Sequence, residues 1–275
     1  MRIFGHKLSV TARIGIAIVL MNLLVAAFAP LIAPFDQATP LGDAWTDPDL
    51  QHWLGLDNLG RDILSRLIYG ARMSIGLALV ITALSFLIGV ISGFAAAVAG
   101  GWIDQALSRL VDLMLSMPTL IFAFIILSVL GSALPVLVVT IAILDSTKVF
   151  RLARSVAVNV VSLEFVEAAR LRGEGWWWIV TREVLPNAVA PLTAEFGLRF
   201  CFTFLFIAAL SFLGLGVQPP AADWGSMVKD YRDMINFGSA APLYPAAAIA
   251  ILTIGVNFVV DWMLSIHSRG QGEGA

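Results

Sequence analysis

The chain has 275 residues, 59% of them hydrophobic and 13% charged, whereas a soluble domain carries roughly 45–50% apolar and about 25% charged residues. That balance places it in a bilayer. A formal net charge of −2 with scattered basic residues says nothing about nucleic acid, and none is expected as a partner; a single cysteine, Cys201, inside an apolar run gives no disulfide framework and no thiolate cluster.

The first element follows Arg2, Lys7 and Arg13: an apolar run from Ile14 to Ala33, with the roughly 20 residues needed to cross hydrocarbon. Ala27-Phe28-Ala29 also fits a cleavable signal. Pro30 argues against cleavage there, so 14–33 is read as a first membrane anchor behind an N-terminal segment 1–13. Residues 34–73 form the first long loop, irregular around Pro34, Pro40 and Pro48 and expected to turn helical from Asp57 to Tyr69.

Apolar stretches then recur at 74–99, 113–130, 134–144, 191–215 and 246–264. Backbone polar groups in lipid must be satisfied within the segment, so each reads as a helix. The expected fold is therefore all-α and polytopic, with six transmembrane helices, a core at 74–265 and a tail at 266–275. The fourth span is the weakest, because Asp145 and Lys148 interrupt it. In the second, Ser85, Gly89 and Gly93 recur every four residues, a stripe that lets helix backbones approach.

Lysine and arginine set orientation. With both termini cytoplasmic, ten such residues fall inside and five outside, and the aspartates of 34–73 and 223–233 all lie outside. Four charges remain within spans. Asp145 and Lys148 are three apart, Glu195 and Arg199 four apart, so each pair can meet on one helix face. A charge at mid-bilayer costs roughly 2.5–3.5 kcal/mol. Two readings stay open: mutual neutralisation, or a pathway lined by Asp145 and Lys148 that favours a zwitterionic or charged solute.

The segment 162–187 breaks the apolar pattern with FVEAARLRGEGWWW. Ser162 suits an N-cap, Glu164 and Glu167 the positive end of a helix, Arg170 and Arg172 its negative end, and Gly173 a left-handed stop. A helix of about ten residues results, too short and too charged to span. Trp176, Trp177 and Trp178 place it at headgroup level.

Here the chain resembles a known family. Glu167-Ala168-Ala169, Gly173 and Leu185-Pro186 are similar to the EAA loop of binding-protein-dependent ABC importer permeases. Gly55-Leu56-Asp57, Leu59 to Arg66 and Tyr69-Gly70-Ala71-Arg72 look like the outer loop of the dipeptide and oligopeptide (DppC/OppC-like) branch. Arg109, Asp112 and Pro118 match its third span, and Ser211 to Pro220 with Trp224-Gly225 the exit of its fifth. The resemblance covers nearly the whole chain. Departures are Glu183 in place of an aliphatic residue, Ile207 in place of a glutamate, Thr147-Lys148 in place of Trp-Pro, and the ending Ser265 to Arg269.

The resemblance implies a type I ABC importer permease fold in the bacterial inner membrane, with 162–187 as a cytoplasmic coupling segment. Glu167, Ala168, Ala169, Arg170 and Gly173 would contact an ATPase, and Arg61 and Asp62 are candidates for contact with a periplasmic solute-binding protein. The implied partners are a homologous permease, two ATPases, the binding protein and the lipid bilayer. Di- or oligopeptides are the implied cargo, with an opine, an oligosaccharide or nickel as alternatives in the same branch, and a membrane scaffold as the reading from another class.

The residues themselves give no enzyme. None of Lys7, Lys148 and Lys229 precedes Ser or Thr in a glycine-rich phosphate loop, and His6, His52 and His267 lie far apart. No catalytic residue, metal or bound cofactor is expected in this chain; ATP and Mg would belong to the partner ATPases.

Overall fold

The structure, a computed structural model, describes the backbone of residues 2, 3, 6, 7 and 9–272 and the side chains of 9–265. Expectations that rest on Arg2, Lys7 or the tail 266–275 lie outside the described side chains. A two-rung antiparallel pairing of β1 (Arg2–Ile3) with β2 (His6–Lys7) precedes α1 (Val10–Ala27), where the Ser9 hydroxyl accepts the Ala12 N–H at 3.1 Å. Pro30 supplies no N–H and falls in the first turn of the short α2 (Ala29–Ile32).

Residues 34–62 form an irregular loop before α3 (Ile63–Ala99), a single 37-residue helix. The separate loop helix expected from Asp57 does not form. Asp57 turns its carboxylate onto the N–H groups of Leu59 and Arg61 instead, and helix begins only after Asp62, which caps it through the Ser65 N–H at 2.7 Å.

The third span also differs from expectation. It consists of α4 (Gly101–Leu115) and α5 (Thr119–Leu130), bent by 86° across residues 116–118. Pro118 lacks an N–H and disfavours helical geometry in the residue before it, which breaks the run there. Alone, α5 has 12 residues, about 18 Å of rise against a hydrocarbon core of about 30 Å.

Next comes α6 (Leu134–Val161), which runs unbroken through Asp145 and Lys148 for 28 residues. The segment 162–187 holds α7 (Glu164–Leu171) and α8 (Trp176–Trp178). A π-helical stretch, 179–184, then feeds α9 (Leu185–Phe212), so helix is continuous from Trp176 to Phe212. The wide turn sits just before Pro186, whose missing N–H leaves a carbonyl one turn back without its α-helical donor. Beyond lie α10 (Trp224–Tyr231), a 3-10 turn (Arg232–Phe237) and α11 (Leu243–Gly272).

By length and composition four of the described helices can cross a membrane: α1, α3, the continuous 176–212 helix and α11. The bent α4–α5 pair makes a fifth. The sixth segment, α6, is long enough but carries Asp145, Lys148, Arg151 and Arg154. Of these only Asp145 is buried, and the apolar face of α6 is enclosed by its neighbours. Leu137, Ile141 and Leu144 pack with Ile75, Ile81, Phe204, Ile207 and Leu210 in one core built by α3, α6 and α9.

The stripe of small residues on α3 makes that enclosure possible. A Cβ on Gly89 would stand 2.6 Å from the Val149 Cβ, and one on Gly93 would stand 2.8 Å from the Phe150 carbonyl oxygen. The α3 and α6 backbones therefore meet where only glycine fits. Ile207, which replaces the glutamate seen in the resembling family, is 1% exposed in this core.

Candidate functional site

At one end of the bundle, α7 is an amphipathic helix of about two turns attached by two apolar side chains, Val166 and Ala169, both fully buried. Val166 reaches a small cluster with Val160, Ile179, Val180 and Val184. Glu167, Ala168, Arg170 and Gly173 remain exposed. The three-residue offset between Val166 and Ala169 puts both on one stripe and turns Glu167 and Ala168 outward. Ala169 is therefore not a contact position, as the resemblance implied, but a seat for the helix on its own bundle.

The ends of α7 are formed as its sequence suggests, with one exception. Ser162 closes α6 and its hydroxyl donates to the Asn159 carbonyl, so it does not cap α7; Leu163 occupies that position without a side-chain bond. At the other end Gly173 has φ +82°, its N–H bonding the Arg170 carbonyl at 2.9 Å and the Glu174 N–H the Ala169 carbonyl at 3.2 Å. These two crossed bonds define a Schellman stop. Leu171, Trp176 and Trp177 stand exposed beside it, and the Arg172 guanidinium lies 5.9 Å from the Trp178 ring centre.

Midway along the bundle the four intramembrane charges form one network instead of two pairs. Lys148 Nζ lies 3.5 Å from Asp145 Oδ1, and Arg199 Nε donates to Glu195 Oε1 at 2.6 Å. Arg199 Nη1 also lies 3.7 Å from Asp145 Oδ1, and the Thr203 hydroxyl donates to Asp145 Oδ2 at 3.2 Å. Asp145 thus ties α6 to α9. Beside it opens a cavity of ≈ 80 Å³, bordered by Thr119, Lys148, Phe202, Thr203 and Phe206. Thr203 could not be found from sequence, since 58 residues separate it from its partner.

The opposite end is a densely bonded cap in which Asp57, fully buried, is the central anion. Its Oδ1 accepts the N–H groups of Leu59 and Arg61, at 2.8 and 3.0 Å, while Oδ2 takes the Arg61 side chain at 2.7–2.8 Å. Arg66 Nε stands 3.2 Å away as an ion pair whose N–H is not aimed for a hydrogen bond, and Arg66 Nη1 donates to the Gln37 carbonyl at 3.0 Å. Asp62 receives Ser65 and faces His52 Nδ1 at 3.2 Å.

Long-range bonds fasten the part of α3 that follows this cap to the start of α10. Ser74 donates to Asp223 at 2.7 Å, and the Trp224 indole donates to the Leu67 carbonyl at 2.8 Å. Burial raises the Asp230 carboxyl above its usual range, although Lys229, Arg66 and Arg61 pull the other way, and burial likewise raises the Tyr231 phenol. Arg61 and Asp62 are 5% and 1% exposed. They are internal struts and, against expectation, leave almost no side-chain surface for a binding protein to touch. Sequence marked this stretch as charged but gave no sign that its charges cancel internally.

A further link escaped sequence reasoning. Arg154 of α6 grips Asp104 of α4 with two parallel bonds, Nη2 to Oδ2 at 2.6 Å and Nε to Oδ1. Asp112, Ser108 and Arg151 line a cavity of ≈ 420 Å³ beside it.

Residues 85–272 match the family described as binding-protein-dependent transport system inner membrane component. A dipeptide transport system permease protein of Alkalihalophilus pseudofirmus is 35% identical over 251 residues, 91% of this chain and 83% of its own. A di/tripeptide transport system permease protein of Pseudomonas aeruginosa is 37% identical over 258 residues, covering 90% and 84%. A nickel transport system permease protein of Escherichia coli is 34% identical over 256 residues, 91% of each chain.

Proposed function

The chain belongs to the family of binding-protein-dependent transport system inner membrane components, and from that premise we propose that it is the permease subunit of an ATP-driven importer of di- or oligopeptides. As an integral membrane component of a transport system it moves solute and catalyses no chemistry of its own. Relatives named for dipeptide and di/tripeptide transport support the peptide cargo. The relative named for nickel transport keeps a non-peptide solute as the second reading.

One observation carries the mechanism: α7 is a separately folded eight-residue helix whose buried stripe holds it to the bundle while Glu167, Ala168, Arg170 and Gly173 face outward. A partner ATPase would grip these residues. Movement of α7 would pass to α6, which leads into it, and to the 176–212 helix, which follows it. In our reading a homologous permease completes the pathway, two ATPases bind ATP and Mg, and a periplasmic binding protein delivers the solute. Both termini and α7 lie in the cytoplasm of a bacterium. ATP binding and release then bias an equilibrium between inward-open and outward-open states.

Mass spectrometry of the intact complex, purified in mild detergent through a tag on this chain and coexpressed with its genomic neighbours, tests the assembly. A second permease and two ATPases are expected. Recovery of this chain alone, or as a homodimer, rules the proposal out.

A further inference from the structure

We propose that Lys148 is a solute-contacting residue that recognises the carboxylate of the transported molecule, while Asp145, its sequence neighbour in charge, holds the helices together. This deepens the importer reading and rests on it.

The depth of Lys148 comes first. It lies fourteen residues beyond Leu134, where α6 begins, or about 21 Å along the helix, inside a hydrocarbon layer about 30 Å thick. Its side chain is nonetheless 36% exposed. A lysine facing lipid at that depth would stretch toward the nearer surface, which is the α7 end. Lys148 bends the other way, toward Asp145 one turn closer to the far end, and borders a cavity. Its partly exposed side chain therefore sits at the edge of this cavity, where the proposal places the aqueous pathway.

The bonding of the cluster separates the roles of its four charges. Arg199 is engaged by Glu195 at 2.6 Å and by Asp145 at 3.7 Å. Asp145 is held by Arg199 and by the Thr203 hydroxyl at 3.2 Å, with its side chain 8% exposed. Both would stay anchored if Lys148 left. Lys148 has three N–H donors and only one long contact, 3.5 Å, among the bonds the structure gives it. The four charges sum to zero, so an arriving anion meets no net negative field. A cavity of ≈ 80 Å³ holds a few waters or one carboxylate group, not a whole peptide. The ligand class is a small organic carboxylate end group, as at the C-terminus of a peptide.

The test uses the full complex with its binding protein in proteoliposomes, wild type against Lys148→Gln, with alanyl-alanine and alanyl-alanine amide as probes. The same binding protein delivers both probes to both complexes, so its own preference cancels when the acid-to-amide ratio of one complex is divided by that of the other. Loss of a charge-assisted hydrogen bond predicts a roughly tenfold fall in that ratio, with Lys148→Arg close to wild type and subunit recovery unchanged. A ratio that Lys148→Gln leaves unaltered, including an equal loss of both probes, overturns the inference. Wild-type ATP hydrolysis without import of either probe overturns the peptide reading beneath it; no ATP hydrolysis at all overturns the importer reading itself.

Discussion

Two short charged stretches, Gly60-Arg61-Asp62 and Glu167 to Gly173, look alike in sequence and end up as opposites. Each combines one acid, at least one arginine and a glycine with positive φ, +72° at Gly60 and +82° at Gly173. In the first, every charge finds its counterpart inside the chain, and the glycine fits against a wall: a Cβ on Gly60 would sit 2.0 Å from the Gly42 carbonyl oxygen. In the second, Glu167 and Arg170 point outward, and a Cβ on Gly173 would meet nothing within 4 Å. A charged stretch offers itself to a partner only when the fold has left it unanswered. The loop end is a self-contained brace; α7 keeps Glu167 and Arg170 at the surface, with one long bond from Arg170 Nη2 to the Val98 carbonyl at 3.5 Å.

The sharpest way to break this contrast is Asp57→Asn. It strands two buried guanidiniums, and removing one partner from such a site costs about 3–5 kcal/mol. A large fall in the thermal midpoint in detergent, or failure to accumulate in the membrane, is expected; a midpoint near wild type would mean the brace is not what holds the loop.

Gly60→Ala should be next. It combines strain at positive φ with a clash against backbone, about 2–4 kcal/mol together, read by the same unfolding measurement and by protease sensitivity of residues 34–62.

Gly173→Ala meets open space, so only the left-handed backbone is penalised, by about 1–2 kcal/mol. The expected outcome is a nearly normal bundle in which α7 frays, visible as faster amide exchange at 170–174 and, on the proposed function, weaker ATPase retention. If it proves as damaging to the bundle as Gly60→Ala, the proposed difference between the two glycines is wrong.

Glu167→Ala should change stability least, within about 0.5 kcal/mol for an exposed site, yet sharply reduce ATPase recovery and uptake. Stable, fully active complexes carrying it would show that α7 is not the grip. The pair Glu167→Ala and Asp57→Asn therefore tests function and folding in opposite directions.

Much of the molecule was legible in the chain because single-helix properties are local. Apolar runs of spanning length, the glycine stop at 173 and the spacing of Glu195 with Arg199 each follow from residues a few positions apart, and each is present. Local patterning also misled where a single residue outweighed it. Pro118 bent the third span by 86°, Asp57 kept its loop from becoming helix, and Ser162 went to the end of α6 instead of the start of α7.

What the sequence determined by itself is the solvent: with so few charges and so many apolar residues, no soluble core could bury this chain, and hydrogen bonding in lipid forces helices. Its motifs carried the family as well. Only tertiary structure decided which charges are spent internally. Asp145 meets Thr203 across 58 positions, Ser74 meets Asp223 across 149, and Arg154 meets Asp104 across 50. Electrostatic compensation depends on distance in space, which spacing along the chain does not encode, and that is why Arg61 and Asp62 vanish into the interior while Glu167 and Lys148 keep side-chain surface exposed.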